Sequence, residues 1–293
     1  MKKQLKTYDF ASRDKYKITG EKLSEYCHVI DEEVDNLHSE IPLKKSDILT
    51  VDLSSFRPQK KLNPKIWPHN LLNSRVRLRL MDIADDFLKT LEIDWVKPKD
   101  VILTGSLANY NWSKYSDFDL HILIDFKDVD ERVNFVKDYF DSKKSLWNQK
   151  HENLKIYGFP VEIYVQDINE LHTASGIYSL YKNKWLKTPE KDNIKAIQLD
   201  KFLIKEKSIR IMKEILNLEE KLENTNDEFE ISEIAKKSKA LFDKIKGIRK
   251  NALTNGNEMS PGNIIFKILR RTQFLDKLIS IKNQTYDKIN TIK

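Results

Sequence analysis

Cysteine is nearly absent from the sequence, which has one cysteine, Cys27, among 293 residues. A single cysteine cannot form a disulfide within the chain, and the six histidines show no zinc-type pairing with it. Chains without disulfides suit a reducing compartment. We therefore expect a cytoplasmic protein.

Long apolar runs are also missing. No run of apolar residues approaches the ~20 that a membrane-spanning helix needs. Polar residues follow Met1-Lys2-Lys3, where a signal peptide would have its apolar stretch. We expect neither a membrane span nor export, and no membrane partner.

Glycine is scarce as well, with seven residues in the whole chain. The glycine-rich patterns G-x-G-x-x-G and G-x-x-x-x-G-K-[ST] do not occur, so neither of these two common nucleotide-binding motifs is supported. Gly105 is the only glycine between Gly20 and Gly158. Its position is therefore informative about the local structure.

Charge is present in quantity but is unevenly placed. Residues 1–194 hold 31 Lys+Arg and 31 Asp+Glu, whereas residues 195–293 hold 21 and 14, so the whole net charge of +7 lies in the C-terminal third. A local excess of positive charge favours an anionic partner, although solubility alone also produces uneven charge.

Three segments follow from the pattern of residues. Four prolines interrupt residues 1–70, which we interpret as an irregular and partly helical extension. Strand and helix patterns alternate over 71–192 and predict a mixed α and β core, entered by an amphipathic helix near 71–91. Residues 193–293 read as a helical domain, which makes the fold class α+β. Its helices are expected at 197–222, 228–250 and 261–288.

The chemistry is concentrated between Val101 and Phe126, which reads VILTGSLANYNWSKYSDFDLHILIDF. A strand ends at Gly105, and Ser106 then opens a turn and brief helix whose free N–H groups suit a triphosphate. Asp117 and Asp119 flank Phe118 at the start of the next strand, so alternation places both carboxylates on one face. Two carboxylates placed in this way can share a pair of Mg²⁺ ions.

A third acid is expected to complete such a site. Glu162 stands in the otherwise apolar strand Val161–Val165, where a buried carboxylate would be costly without a metal or another partner. A structural acid with a satisfied hydrogen-bond network is the alternative interpretation of Glu162. His121 lies on the aspartate face, and we interpret it as a neighbour rather than a catalytic group.

The pattern G-S-x(9)-S-D-x-D followed by an isolated strand acid resembles the DNA polymerase β-like nucleotidyltransferase superfamily over about residues 71–190. The resemblance implies a nucleotidyltransferase-type mixed sheet with flanking helices. It implies that the Gly105-Ser106 turn holds the nucleotide phosphates and that Asp117 and Asp119 bind two divalent metals, Mg²⁺ or Mn²⁺. It further implies that Glu162 binds one metal and activates an acceptor hydroxyl.

One departure from the family pattern concerns the phosphates. Many small members have an arginine after the alanine of the turn, whereas this chain has Asn109, and Lys114 is our candidate for the missing contact. The third acid in the family is also more often an aspartate than a glutamate.

The whole chain further resembles uncharacterised nucleotidyltransferase-like proteins of large tailed bacteriophages, through LTGSLANYNW, SDFDLH, VEIYVQD and GNEMSPGNIIFKILRR. This resemblance would place the protein in a host cytoplasm.

The expected reaction is transfer of NMP from an NTP such as ATP to an acceptor hydroxyl, with release of pyrophosphate. An RNA end is the leading acceptor because the charge excess lies in the helical domain, where Lys267, Arg270 and Lys277 share a helix face with Phe274. Transfer to a protein or small molecule, as in antitoxin-like relatives, and cyclic oligonucleotide synthesis stay open. A nucleic-acid-binding relative without turnover is the alternative from another class.

Overall fold

The computed structural model describes residues 51–172, 174–191, 200–255 and 258–292, and it divides into two compact units. We call the first, within Asp52–Leu199, the sheet unit, and the second, which begins at Asp200, the helical unit. Residues 1–50 of the predicted extension lie outside the described residues. The three-segment division of the chain therefore stays a prediction.

Helix α1 (Ser74–Lys89) packs into the core of the sheet unit, and the sequence predicted a helix near 71–91. The side chain of Asn73 accepts a hydrogen bond from the backbone N–H of Arg75, a typical N-cap that begins the helix. Apolar residues recur every three or four positions and are buried. They are Val76, Leu80, Ile83, Ala84 and Phe87.

A mixed six-stranded sheet forms the body of this unit. Its strands are β1 (Asp100–Thr104), β2 (Phe118–Ile124), β3 (Lys155–Ile156), β4 (Phe159–Asp167), β5 (Ile177–Ser179) and β6 (Lys184–Lys187). Their order across the sheet is β3-β4-β2-β1-β5-β6, with β2 and β4 parallel and the other neighbours antiparallel. The sheet with its flanking helices confirms the predicted α+β class.

Strand β2 lies near the middle of the sheet and separates two kinds of residue. Phe118, Leu120 and Ile122 are fully buried in the main core, where α1 packs against β2 and helix α2 (Val133–Lys150) packs against β4. Because side chains alternate along a strand, Asp119 and His121 lie on the opposite face of the sheet. The polar face is therefore positioned by the same packing that buries the apolar one.

The segment before α1 packs into the same core. Ile66 and Trp67 are buried, and the Trp67 ring stacks on Trp185 with 4.4 Å between centroids. The indole N–H of Trp67 donates to the carbonyl of Leu107 over 2.7 Å. Residues before position 71 thus brace the turn that follows Gly105, a contribution that the sequence pattern did not indicate.

Four helices make up the described part of the helical unit: α3 (Lys201–Glu223), α4 (Glu228–Asn255), α5 (Pro261–Arg271) and α6 (Phe274–Asn290). The prediction of one helix over 261–288 is wrong, because the helix is interrupted at Gln273, whose φ is 63°. The Thr272 hydroxyl donates to the carbonyl of Ile268, which closes the end of α5. Among the described residues, no helix combines the length and apolar character needed to cross a membrane.

Candidate active site

Gly105 occupies a backbone conformation that only glycine adopts without strain. Its φ is +74°, and a Cβ built at this position would lie 1.6 Å from Oδ2 of Asp119. Glycine at such a position allows another group to approach the backbone closely. In the structure the group that approaches is the Asp119 carboxylate, so Gly105 is required for the geometry of the acidic residues themselves.

Ser106 follows Gly105 at the start of a single 3₁₀ turn, Ser106–Ala108. The Ser106 hydroxyl donates to the hydroxyl of Ser116 over 2.7 Å, and Ser116 also accepts the backbone N–H of Ser113 over 2.9 Å. These bonds connect the turn after β1 to the loop that leads into Asp117. Ser113 and Ser116 are buried, and no role had been expected for either of them from the sequence.

The three predicted acids come from two neighbouring strands and the loop before them. Asp119 of β2 is the direct register partner of Glu162 in the parallel strand β4, and Asp117 immediately precedes β2. Parallel neighbours in a sheet lie about 4.8 Å apart, so their side chains on one face meet. One carboxylate oxygen from each residue lies within 4.8 Å of the others, and all three residues are half-buried.

This donor set fits a hard divalent cation. Mg²⁺ and Mn²⁺ prefer oxygen ligands, and carboxylates are the usual protein donors to Mg²⁺ in phosphoryl-transfer sites. Three carboxylates gathered at this distance and half removed from water repel one another unless positive charge offsets them. Asp117, Asp119 and Glu162 are therefore the residues of this site that could hold metal.

Tyr164 is a neighbour of the acids that sequence reasoning missed. Its hydroxyl donates to Oε2 of Glu162 over 2.5 Å. Burial, and then the hydrogen bond to the Glu162 carboxylate, raise the pKa of Tyr164 well above its usual range, so the phenol keeps its proton and remains a donor. The i, i+2 spacing in the strand Val161–Val165 was the available signal.

His121 lies beside this tyrosine. The two rings stack with 4.8 Å between centroids, and the ammonium of Lys144 lies 5.1 Å from the Tyr164 centroid. Burial is the main cause that lowers the pKa of His121 to about 4, partly opposed by a hydrogen bond with Gln166. A neutral imidazole is consistent with the interpretation of His121 as a packing neighbour of the acids.

Lys114 lies in the loop between Ser113 and Ser116, and its side chain is exposed. Its ammonium lies 4.9 Å from the ring centroid of Tyr115. Within the described part of the chain it forms no ion pair with the three acids. Asn109, at the position of the family's arginine, is buried, and its side-chain oxygen accepts the backbone N–H of Tyr110. The assignment of Lys114 to a phosphate stays a prediction.

Comparison with known proteins gives a family for this part of the chain. Residues 84–188 match the family model described as a nucleotidyltransferase domain. No curated protein matches the chain significantly. Among solved structures, the chain is similar to the STING-associated CdnE c-di-GMP synthase from Capnocytophaga granulosa, at 14% identity over 91% of this chain and 94% of that chain. The TM-score is 0.20, which supports no statement about function.

The matched range begins in α1 and ends just after β6, so it contains the glycine turn and all three acids. It also contains the loop that Ser116 ties to the turn. The fold, the position of the acids and the family match agree with the resemblance found in the sequence. Residues 84–188 of the chain are therefore identified as a nucleotidyltransferase domain.

Proposed function

We propose that the protein transfers NMP from an NTP to an acceptor hydroxyl and releases pyrophosphate. The observation that carries this proposal is the meeting of Asp117, Asp119 and Glu162, with oxygens within 4.8 Å of one another, directly beside the Gly105 turn. An acidic cluster that can hold divalent cations beside a glycine turn suits a triphosphate substrate.

Asp117 and Asp119 would hold two divalent ions together, and Glu162 would hold one of them. When bound, such ions neutralise charge on the triphosphate and stabilise both the attacking and the leaving oxygens. Magnesium and manganese are our candidates for these ions, because both accept carboxylate ligands.

The chemical step breaks one bond for each bond it forms. The acceptor oxygen attacks the α-phosphorus, the bond from that phosphorus to the bridging oxygen breaks, and pyrophosphate leaves with the bonding electrons. The acceptor proton passes to the Glu162 carboxylate as general base. Because the Tyr164 hydroxyl donates to Oε2 of Glu162, the carboxylate is held in one orientation.

The turn at Gly105 and Ser106 would bind the phosphates through backbone N–H groups, with Lys114 as an added cation, while the Ser106 hydroxyl keeps its bond to Ser116. The bonds among Ser106, Ser113 and Ser116 fix the turn before substrate arrives. A preorganised donor set is worth more than a flexible one, because no reorganisation is required during the reaction.

The test is label transfer. The full chain is incubated with each α-labelled NTP, with Mg²⁺ or Mn²⁺ or with a chelator, and with total RNA, total protein or neither. Metal-dependent release of pyrophosphate with label in the RNA fraction supports transfer to an RNA end. Label in protein, or in a cyclic nucleotide without any acceptor, assigns the alternative acceptors. A chain that releases no pyrophosphate under any condition contradicts the proposal.

A further inference from the structure

The cations that were predicted to hold RNA are partly neutralised within the helical unit. Lys267 forms an ion pair with Glu258, and the ammonium of Lys277 lies 2.5 Å from a carboxylate oxygen of Glu219. Of the three predicted cations, only Arg270 is exposed. A polyanion would have to compete with these glutamates, so this face is a poor place for it.

The surplus of positive charge lies instead in the middle of α4. Residues 236–250 hold seven Lys+Arg and one acid, Asp243. This stretch therefore carries nearly all of the positive excess of the C-terminal third. Ordinary solvated helices intersperse both signs of charge along their exposed faces, which this stretch does not do.

Part of this charge forms a stripe along one helix face. Lys239, Phe242, Lys246 and Lys250 follow one another at intervals of three or four residues, so they are neighbours on one side of α4. The three lysines are exposed and Phe242 is half-buried. At 1.5 Å per residue, the stripe from Lys239 to Lys250 is about 16 Å long.

A cation from another helix joins the stripe at its aromatic ring. The ammonium of Lys282, in α6, lies 4.1 Å from the Phe242 centroid, and that of Lys246 lies 4.6 Å from it. The ring attracts both cations through its quadrupole, although the two repel each other. Within the described residues, neither ammonium lies within ion-pair distance of a carboxylate. We call Lys239, Phe242, Lys246, Lys250 and Lys282 the Phe242 surface.

We propose that the Phe242 surface binds the backbone of a single-stranded RNA, and this inference rests on the proposed function in taking that RNA as the acceptor. A phosphate between Lys246 and Lys282 would relieve their repulsion. The length of the stripe suits several successive phosphates rather than one isolated anion. When phosphates draw the ammoniums away, the Phe242 ring becomes open to stack on an unpaired base.

The experiment measures RNA binding without NTP or divalent metal, so that it is independent of catalysis. A labelled single-stranded RNA oligonucleotide is titrated with the full chain over a range of salt concentrations. The variant K246Q/K282Q removes the two cations on the ring. The control K201Q/K221Q removes two exposed lysines from helix α3, which lie outside the surface.

We expect log affinity to fall linearly with log salt for the unmodified chain. K246Q/K282Q should reduce the slope by about 1.4, and adding K239Q/K250Q should reduce it by about 2.8 in total, since each phosphate contact on a single strand contributes about 0.7. K201Q/K221Q should keep the original slope. Phe242→Leu keeps an apolar side chain but loses the ring, and should weaken binding about 10-fold with an unchanged slope.

Three outcomes would overturn the inference. One is equal slopes for K246Q/K282Q and K201Q/K221Q. Another is absence of RNA binding at low salt. The third is equal or tighter binding of single-stranded DNA, or of acidic phospholipid vesicles, through the same lysines. A melting temperature for each variant identifies loss of fold, and the lysine variants decide the matter if Phe242→Leu unfolds. RNA binding by a chain that releases no pyrophosphate under any condition would contradict the proposed function while leaving this surface assigned.

Discussion

The sheet unit brings three like charges into one compact cluster, whereas most charges of the helical unit extend along a helix or pair with the opposite charge. Asp117, Asp119 and Glu162 converge to within 4.8 Å on neighbouring strands. In the helical unit, Lys277 pairs with Glu219, and the cations of α4 extend along a helix. A tight cluster of one sign suits a compact ion of the other sign, while an extended stripe suits an extended partner.

The backbone explains this difference. Parallel strands in register hold paired residues at a fixed short distance, so repulsion between Asp119 and Glu162 cannot be relieved by moving apart. Side chains on an exposed helix face have rotamer freedom and reach whichever partner is nearest. In the sheet unit, charged residues therefore form a site because the strand register holds them together. In the helical unit, a candidate site consists of cations that, among the described residues, have no carboxylate within ion-pair distance.

The largest effect is expected when the acidic cluster is broken. Replacement of Asp117 and Asp119 by asparagine should abolish NMP transfer, because the ligands for both metals are removed. The fold should stay intact, since fewer like charges repel in the metal-free protein. Pyrophosphate release and melting temperature measure the two effects. Retained turnover in the double variant would show that the site is elsewhere.

A second variant distinguishes the role of the third acid, Glu162, from that of the two aspartates. Glu162→Gln should lower the chemical step by about 10²–10⁴, the usual range for loss of a general base. NTP affinity should change little, because Glu162 is proposed to act at the acceptor and one metal. Single-turnover rates and nucleotide affinity are measured on the same preparation. A collapse of affinity at an unchanged rate would assign Glu162 a different role.

Two glycines offer a matched pair. Gly105→Ala and Gly158→Ala both place a Cβ on a residue with positive φ, but only the first meets Asp119, since nothing lies within 4 Å at Gly158. Each should cost about 1 kcal/mol or more through backbone strain. Only Gly105→Ala should also lose most activity, because the acid must move. Similar activity in the two variants would contradict the role given to Gly105.

A smaller effect is expected from the tyrosine that orients Glu162. Tyr164→Phe removes one hydroxyl and should lower metal affinity or turnover by about 10- to 100-fold, as is usual for groups that orient ligands. Tyr157→Phe, at an exposed position, is the control. Titration of Mn²⁺ in both variants distinguishes orientation of the ligand from packing. Identical Mn²⁺ affinities and rates would leave Tyr164 a purely structural residue.

The smallest effect concerns stability in the helical unit. Burial raises the pKa of Glu214 above its ordinary value of 4.5, partly opposed by Lys244. The folded state therefore binds more protons than the unfolded state between the two pKa values, so this group makes stability rise as pH falls through that window. Glu214→Gln should raise the melting temperature slightly near neutral pH and remove that slope. The exposed Glu220→Gln should do neither, and an unchanged slope in Glu214→Gln would contradict the assignment.

Much of the sheet unit could be predicted because its signals are local. The burial of Phe118, Leu120 and Ile122 and the shared face of the aspartates follow from alternation along one strand. The helix end at Gln273 could not be predicted, since neither proline nor glycine marks this left-handed residue.

The nucleotidyltransferase resemblance, the mixed α and β core and the three acids that meet could all be inferred from the sequence alone, because spacing within one or two strands is a short-range property. Three contacts could be seen only in the folded structure: Gly105 makes room for Asp119, Tyr164 donates to Glu162, and Trp67 braces the turn after Gly105. The folded structure also shows which lysines form ion pairs with glutamates. These contacts join residues on separate elements, and the distance between separate elements is fixed by packing rather than by position along the chain.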